Sequence, residues 1–186
     1  MTRCFLALPV PDEVRSRLAV AQFLLPLPRR VDPAGFHITL VFLGDLPGPV
    51  LEEVHLALSA LRLPGFDLVL QGFGLFGGDR PRSLHAVVQG GEGLARLHSR
   101  LLRACVLAGA QPEERRFTPH VTLGRFAPGL ADALRLERAV AEGAGFRAGP
   151  WWADRFALMR SDLHRDGAVY TELAAYPLTP PGPQPI

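Results

Sequence analysis

Lysine and asparagine are both absent from this chain of 186 residues, so its 20 basic side chains are all arginine. The joint loss most simply reflects a GC-rich genome whose codon usage avoids both residue types. It removes a thermolabile residue and leaves planar, bidentate cations that suit phosphate. Acidic residues nearly balance the arginines: the net charge is +2 and the pI about 8.9, too mild to identify a nucleic-acid protein from electrostatics alone. Cysteine occurs twice, at Cys4 and Cys105. In a chain long enough to hold a core without staples both read as buried apolar fillers, with no disulfide and no redox role. Long apolar runs are missing too, since stretches such as Cys105–Ala108 fall far short of the roughly 20 residues needed to cross a bilayer. The opening Met1–Pro9 carries one charge and a proline, too short and interrupted for a secretory signal, so a cytoplasmic protein without a membrane partner is expected. No Cys-x-x-Cys or His-Glu-x-x-His pattern occurs, and no metal or other cofactor is expected.

What is present is an ordinary globular composition, 48% hydrophobic and 20% charged, punctuated regularly by proline and glycine. The punctuation gives alternating short strands and medium helices. Strands are predicted at Arg3–Leu8, Phe36–Leu43, Phe66–Leu75, Ser83–Gln89, Thr118–Phe126, Trp152–Met159 and Ala168–Ala175. A helix opens at Pro11-Asp12-Glu13 with apolar spacing through Val14, Leu18, Ala21 and Leu25, and Pro26 and Pro28 stop it. Further helices are predicted over Pro49–Leu61, Glu92–Ala108 and Ala131–Ala141; the long one points Leu94, Leu97, Leu101, Leu102 and Cys105 inward, and Gly109 is its C-cap. No linker divides residues 1–178, which read as one domain. Residues 179–186 are too rich in proline to pack and are expected to be a disordered tail.

One short pattern recurs. Phe36-His37-Ile38-Thr39-Leu40 returns 83 residues later as Pro119-His120-Val121-Thr122-Leu123, with Leu-Gly pairs nearby at Leu43-Gly44 and Leu123-Gly124. Six threonines in 186 positions make a His-x-Thr match roughly a 3% event per histidine, so two matches among six histidines are about a 1–2% accident. On a strand, His and Thr two residues apart project from one face about 7 Å from each other, while the apolar pair faces the core. Two such pairs brought together supply two titratable imidazoles and two neutral hydroxyls. That set matches phosphoester chemistry: one neutral imidazole takes a proton from attacking water, one imidazolium gives a proton to the leaving oxygen, and the hydroxyls hold non-bridging oxygens. Acid and base must stand on opposite sides of the phosphorus for in-line displacement. A pseudo-twofold arrangement of the two motifs across a groove provides this, although the residues alone do not say which histidine is the acid.

The competing reading of a single His-x-Thr is a hydrogen-bonded pair with no function, and repetition with matched apolar flanks argues against it. A metal site is disfavoured because neither motif has a second histidine or a carboxylate at i+2 or i+4. His55 and His98 lie beside helical apolar stripes and read as solvated positions; His164 falls in the polar hairpin Ser161–Gly167. His85 sits on a predicted strand and faces either the groove or solvent.

With these residues in place, the sequence resembles the RNA 2′,3′-cyclic phosphodiesterases, also described as 2′-5′ RNA ligases, of the 2H phosphoesterase superfamily, whose signature is two His-x-Thr-x motifs. The resemblance rests on His37-Ile38-Thr39-Leu40 and His120-Val121-Thr122-Leu123. It extends to Arg3–Leu8, Phe36–Gly44, Gly74-Leu75-Phe76 with Pro81-Arg82, Phe117-Thr118-Pro119, Arg125, and Leu158–Ser161 through Tyr170. One departure is His85, where the family carries a tryptophan or another bulky residue. The resemblance implies an α+β fold of two similar lobes with antiparallel sheets and outer helices around a central cleft. It implies metal-independent opening of a 2′,3′-cyclic phosphate at an RNA end to a 2′-phosphomonoester. His37 is then the proton donor and His120 the proton acceptor, with Thr39 and Thr122 on the phosphate oxygens. It also implies an RNA partner with a cyclic phosphate end, tRNA fragments included, and the chain is expected to act as a monomer.

Beyond these four residues the binding candidates are Arg125, Phe5, Arg3, His85 and Tyr170. Alternation from His120 and Thr122 through Gly124 turns Arg125 to the opposite face and favours a structural role unless the strand bulges, whereas the resemblance includes it and an arginine there is a natural anion clamp. Arg3 and Phe5 share one face of the first strand, with Phe5 better read as core. Two alternatives accompany hydrolysis: joining of RNA ends through a 2′,5′ bond by the reverse reaction, and an RNA-end binding module without catalysis.

Overall fold

A computed structural model describes residues 1–113, 116–127, 129–164 and 167–180. Among these residues eight strands form one antiparallel sheet: β1 (Thr2–Pro9), β2 (His37–Leu46), β3 (Phe66–Phe76), β4 (Ser83–Gln89), β5 (His120–Arg125), β6 (Arg147–Ala153), β7 (Arg155–His164) and β8 (Gly167–Pro177). Their spatial order is β6-β3-β4-β5-β2-β1-β7-β8. Four helices accompany them: α1 (Asp12–Leu24), α2 (Gly48–Ser59), α3 (Gly91–Leu107) and α4 (Ala133–Glu142). The architecture is α+β, as expected.

The order is symmetric about the junction of β5 and β2. Each half runs strand, helix, strand, helix, as β1-α1-β2-α2 and β4-α3-β5-α4; after the first, β3 crosses to the other half, and after the second, β6 stays beside β3 and β7 crosses. Thus β3 comes after α2 yet pairs with β4, while β7 pairs with β1. The halves meet at a single ladder pair, Ile38 with Val121. These are the equivalent central residues of the two motifs, and equivalent residues facing each other in an antiparallel pair are what a local twofold axis requires.

Packing explains why the elements lie as they do. Ile38, Val121, Leu84 and Leu123 are fully excluded from solvent and form the apolar underside of the central strands. Helix α3 buries Leu94, Leu97, Leu101 and Cys105 along one stripe against β2 and β3. Each leucine of that stripe contributes roughly 1.5–3 kcal/mol by leaving water. Both cysteines are buried and free, and burial pushes the Cys4 thiol up to about 11 and that of Cys105 up to about 12.

Several expectations need correction. The strand predicted over Trp152–Met159 is two strands, β6 and β7, broken at Asp154, whose carbonyl accepts the Leu178 N–H at 2.7 Å as the chain passes from one half of the sheet to the other. The start of β6 was hidden by Pro150, which an edge strand tolerates. In α1 the residue facing inward after Leu18 is Gln22 rather than Ala21. The two Leu-Gly pairs are not equivalent, because the register matches Leu123-Gly124 to Leu40-Val41. Of the proline-rich tail, Thr179 is held by Leu63, its N–H donating to that carbonyl at 2.8 Å, and residues 181–186 lie outside the described residues. Arg165 and Asp166 of the hairpin lie outside them too.

Candidate active site

Each motif histidine opens its strand, and each is oriented by the backbone two residues earlier. His37 Nδ1 donates to the Gly35 carbonyl at 2.7 Å, and His120 Nδ1 donates to that of Thr118 at 2.6 Å. This fixes the tautomer in both rings and makes Nε2 the acid–base nitrogen. His37 Nε2 lies 3.1 Å from the Thr39 hydroxyl. Counting outward from Ile38 and Val121, His37 stands on the side of Thr122 and Thr39 on that of His120. All four side chains, with Arg125 and Tyr170, line one cleft.

Aromatic rings box each imidazole. Phe5 lies 4.9 Å from the His37 ring and Tyr170 meets it edge-on at 4.9 Å. On the other side His120 meets Phe76 at 4.9 Å and His85 at 5.0 Å, while Phe76 and His85 stack on each other at 4.1 Å. Burial, then the nearby Arg125 and His120, push His37 down to about 4 despite its hydrogen bond to Gly35. His37 is therefore neutral in the empty cleft near pH 7, and an anion bound between these groups favours its protonation. Among the described residues the cleft lining includes four arginines, Arg3, Arg82, Arg116 and Arg125, and one carboxylate, Glu113. Imidazoles, hydroxyls and guanidiniums in that proportion suit a phosphate anion.

The profile of the 2'-5' RNA ligase superfamily matches residues 10–165. The chain belongs to this superfamily. It is 34% identical to the RNA 2',3'-cyclic phosphodiesterase of Aeropyrum pernix over 86% of this chain and 90% of that protein. The enzyme of the same name from Thermus thermophilus is 35% identical over 95% and 90%. Among solved structures, E. coli LigT complexed with 3'-AMP superposes with a TM-score of 0.76 at 26% identity, covering 96% of this chain and 98% of that one. The Thermus thermophilus protein TT0787 gives 0.75 at 33% identity, covering 95% and 97%.

Within this superfamily fold, Arg125 reaches the cleft through a bulge. Gly124 pairs with Leu84 and Thr122 with His85, which leaves Leu123 as an extra residue in β5 and reverses the alternation after it. The freed Leu123 carbonyl accepts the Val31 N–H at 2.9 Å and the Gln22 side-chain amide at 2.7 Å. A Cβ on Gly124 would lie 2.7 Å from the Arg29 carbonyl oxygen, so the close passage of residues 29–31 requires glycine there. The structural role favoured for Arg125 by simple alternation is thereby corrected. The equivalent bulge in β2 at Leu40 puts Phe42 where the other half has Arg125.

The remaining candidates separate clearly. Phe5 is core, 2% exposed, yet it forms the cleft floor against His37. Arg3 lines the cleft with its guanidinium 5.1 Å above the Phe42 ring and 4.0 Å from Asp45. His85 is buried behind His120 rather than solvated, and burial and His120 push it down to about 4. His98, read as a solvated helix position, is half-buried in the cleft wall and stacked on Phe117. His55 is exposed and bonded through Nδ1 to the Tyr176 hydroxyl at 2.9 Å. The sequence reading did not single out Gln22, Phe76, Ser83 or Phe42; Phe42 and Phe76 lie in the stretches Phe36–Gly44 and Gly74-Leu75-Phe76 that carry the resemblance, whereas Gln22 and Ser83 reach the site through pairings that only the fold makes.

Proposed function

We propose that the protein opens 2′,3′-cyclic phosphate ends of RNA to 2′-phosphomonoesters by metal-independent general acid–base catalysis. The observation that carries this reading is the pairing of the two motifs at Ile38 and Val121, which sets two imidazoles, two hydroxyls and Arg125 under one cleft. The names of the relatives supply the substrate class. His120 accepts a proton from water as its oxygen bonds to phosphorus, the bond from phosphorus to the 3′-oxygen breaks, and His37 gives that oxygen its proton. Thr39, Thr122 and Arg125 hold the non-bridging oxygens as negative charge gathers on them. His37 takes up its proton as the phosphate anion binds. Arg3, Phe5 and Tyr170 shape the cleft around the terminal nucleotide. His85 acts behind His120, the RNA includes tRNA fragments, and the chain works as a cytoplasmic monomer.

The test is incubation in excess EDTA with a short RNA ending in a 2′,3′-cyclic phosphate, with the 2′- and 3′-phosphate products resolved. The 2′-phosphate is expected from the natural protein, and its formation falls roughly 10²–10⁴-fold in His37→Ala and in His120→Ala. Absence of product from folded protein overturns the reading.

A further inference from the structure

The cleft is larger than the chemistry at its floor needs. It encloses about 1120 Å³, at or above the top of the roughly 300–1,000 Å³ that accommodates one drug-sized ligand. Its far wall is the side of α3 that carries His98, Leu102 and Val106, at i, i+4 and i+8. Of the three, Leu102 is half-buried and also packs against the core, whereas Val106 is 53% exposed. Facing it, Phe117 stacks on His98 with ring centroids 3.9 Å apart and planes within 8°. Phe117 precedes His120 by three residues, so the two are separated along the chain by no more than about 10 Å. Burial keeps the His98 ring on the neutral side of its ordinary range. Arg82 and Arg116 lie in the same lining and offset Glu113.

We propose that the stacked rings of His98 and Phe117 are the platform for the base of the nucleotide that precedes the RNA's terminal one, an inference that rests on the proposed action at RNA ends. A parallel ring pair beside an apolar stripe offers a π-face to any base, and the arginines attend the backbone phosphate. The site selects for oligonucleotides over mononucleotides and tolerates any sequence, because stacking reads no base edge. Position explains the division of labour: the motifs hold the terminal phosphate, and the wall of α3 holds the strand that leads to it.

The experiment compares three substrates: adenosine 2′,3′-cyclic phosphate, a trinucleotide with the same end, and that trinucleotide with an abasic penultimate residue. The natural protein is expected to favour the intact trinucleotide over the mononucleotide in kcat/KM by roughly 5- to 100-fold, the worth of one base–aromatic stack. The abasic residue and His98→Ala each lower that ratio at least 5-fold, and His98→Trp restores it. A ratio unmoved by the abasic residue or by His98→Ala overturns the platform. Binding of the intact and abasic trinucleotides as 2′-phosphates, measured by fluorescence anisotropy, gives the same comparison without turnover. If no substrate reacts, the proposed function fails while this binding difference, present or absent, still decides the platform.

Discussion

The imidazole of His85 stands beside that of His120, ring centroids 5.0 Å apart and planes at 61°, with only 5% of His85 reaching solvent. Its Nδ1 is buried without a hydrogen-bond partner. Burial and the neighbouring histidine hold His85 down to about 4, and His37 is held at about 4 as well. Between pH 6.5 and 4 the unfolded chain therefore binds protons that the folded chain refuses, and stability falls as the pH drops through that window. For His85 the loss is on the order of 3 kcal/mol by pH 4, at about 1.4 kcal/mol for each tenfold loss of proton affinity. Denaturant unfolding at pH 7 and pH 4 should show His85→Leu losing less stability between the two than the natural protein. Equal losses would mean that His85 is not a source of the acid sensitivity.

The same contact makes Gly74 a control point for His120. A Cβ on Gly74 would fall 2.7 Å from His85 Nε2, and the imidazole is already confined by Phe76 and His120. Gly74→Ala is expected to drive His85 onto His120 and lower kcat about tenfold, the scale of a displaced general base. Removing the obstructing ring should relieve it. Addition of His85→Ala to Gly74→Ala is expected to recover most of the lost kcat, and failure to recover it would locate the damage in the backbone of β3.

How much of this was readable from sequence follows from how far apart the interacting residues are. The motifs and most strands were legible because alternation and proline or glycine boundaries are local signals. His37 and Thr39 face the cleft while Ile38 is buried, as period two requires. Arg125 was not legible, because its orientation depends on a bulge stabilised by Gln22 and Val31, about a hundred residues away. The split of β6 from β7 was hidden for a similar reason, since it is set by which half of the sheet receives each strand. His98 misled through its helix: the side of α3 that lines the cleft adjoins the side that faces the core, and Leu102 belongs to both.

Arg125 and His37 are coupled through charge. The guanidinium and His120 both disfavour the imidazolium of His37, which burial has already pushed down to about 4. Because His37 must carry the proton it donates, its titration sets the alkaline limb of kcat/KM, which reports the free protein and is expected to begin near pH 4. Arg125→Ala removes a positive neighbour, so the limb moves to higher pH while kcat/KM falls about 10- to 100-fold from loss of a charge-assisted contact to phosphate. A limb that stays in place would show that Arg125 acts on substrate alone.

The bulge that aims Arg125 is itself open to test. Gln22 is 4% exposed, and its amide donates to both Leu123 and Val31 carbonyls at 2.7 Å. Gln22→Leu leaves the Val31 carbonyl without that donor and the Leu123 carbonyl with the Val31 N–H alone. Loss of such buried bonds costs about 1–3 kcal/mol. The bulge then relaxes toward regular pairing, which by alternation turns Arg125 out of the cleft. In a double-mutant cycle, Gln22→Leu and Arg125→Ala should therefore each lower kcat/KM yet together lower it little more than Arg125→Ala alone. Their effects on unfolding free energy should instead add, because Arg125 is exposed and does not take part in the bonds that Gln22 makes. Additive losses in kcat/KM would mean that Gln22 supports the site by a route other than Arg125. Gly124→Ala strains the same passage through the Arg29 carbonyl and is expected to follow Gln22→Leu in both readouts.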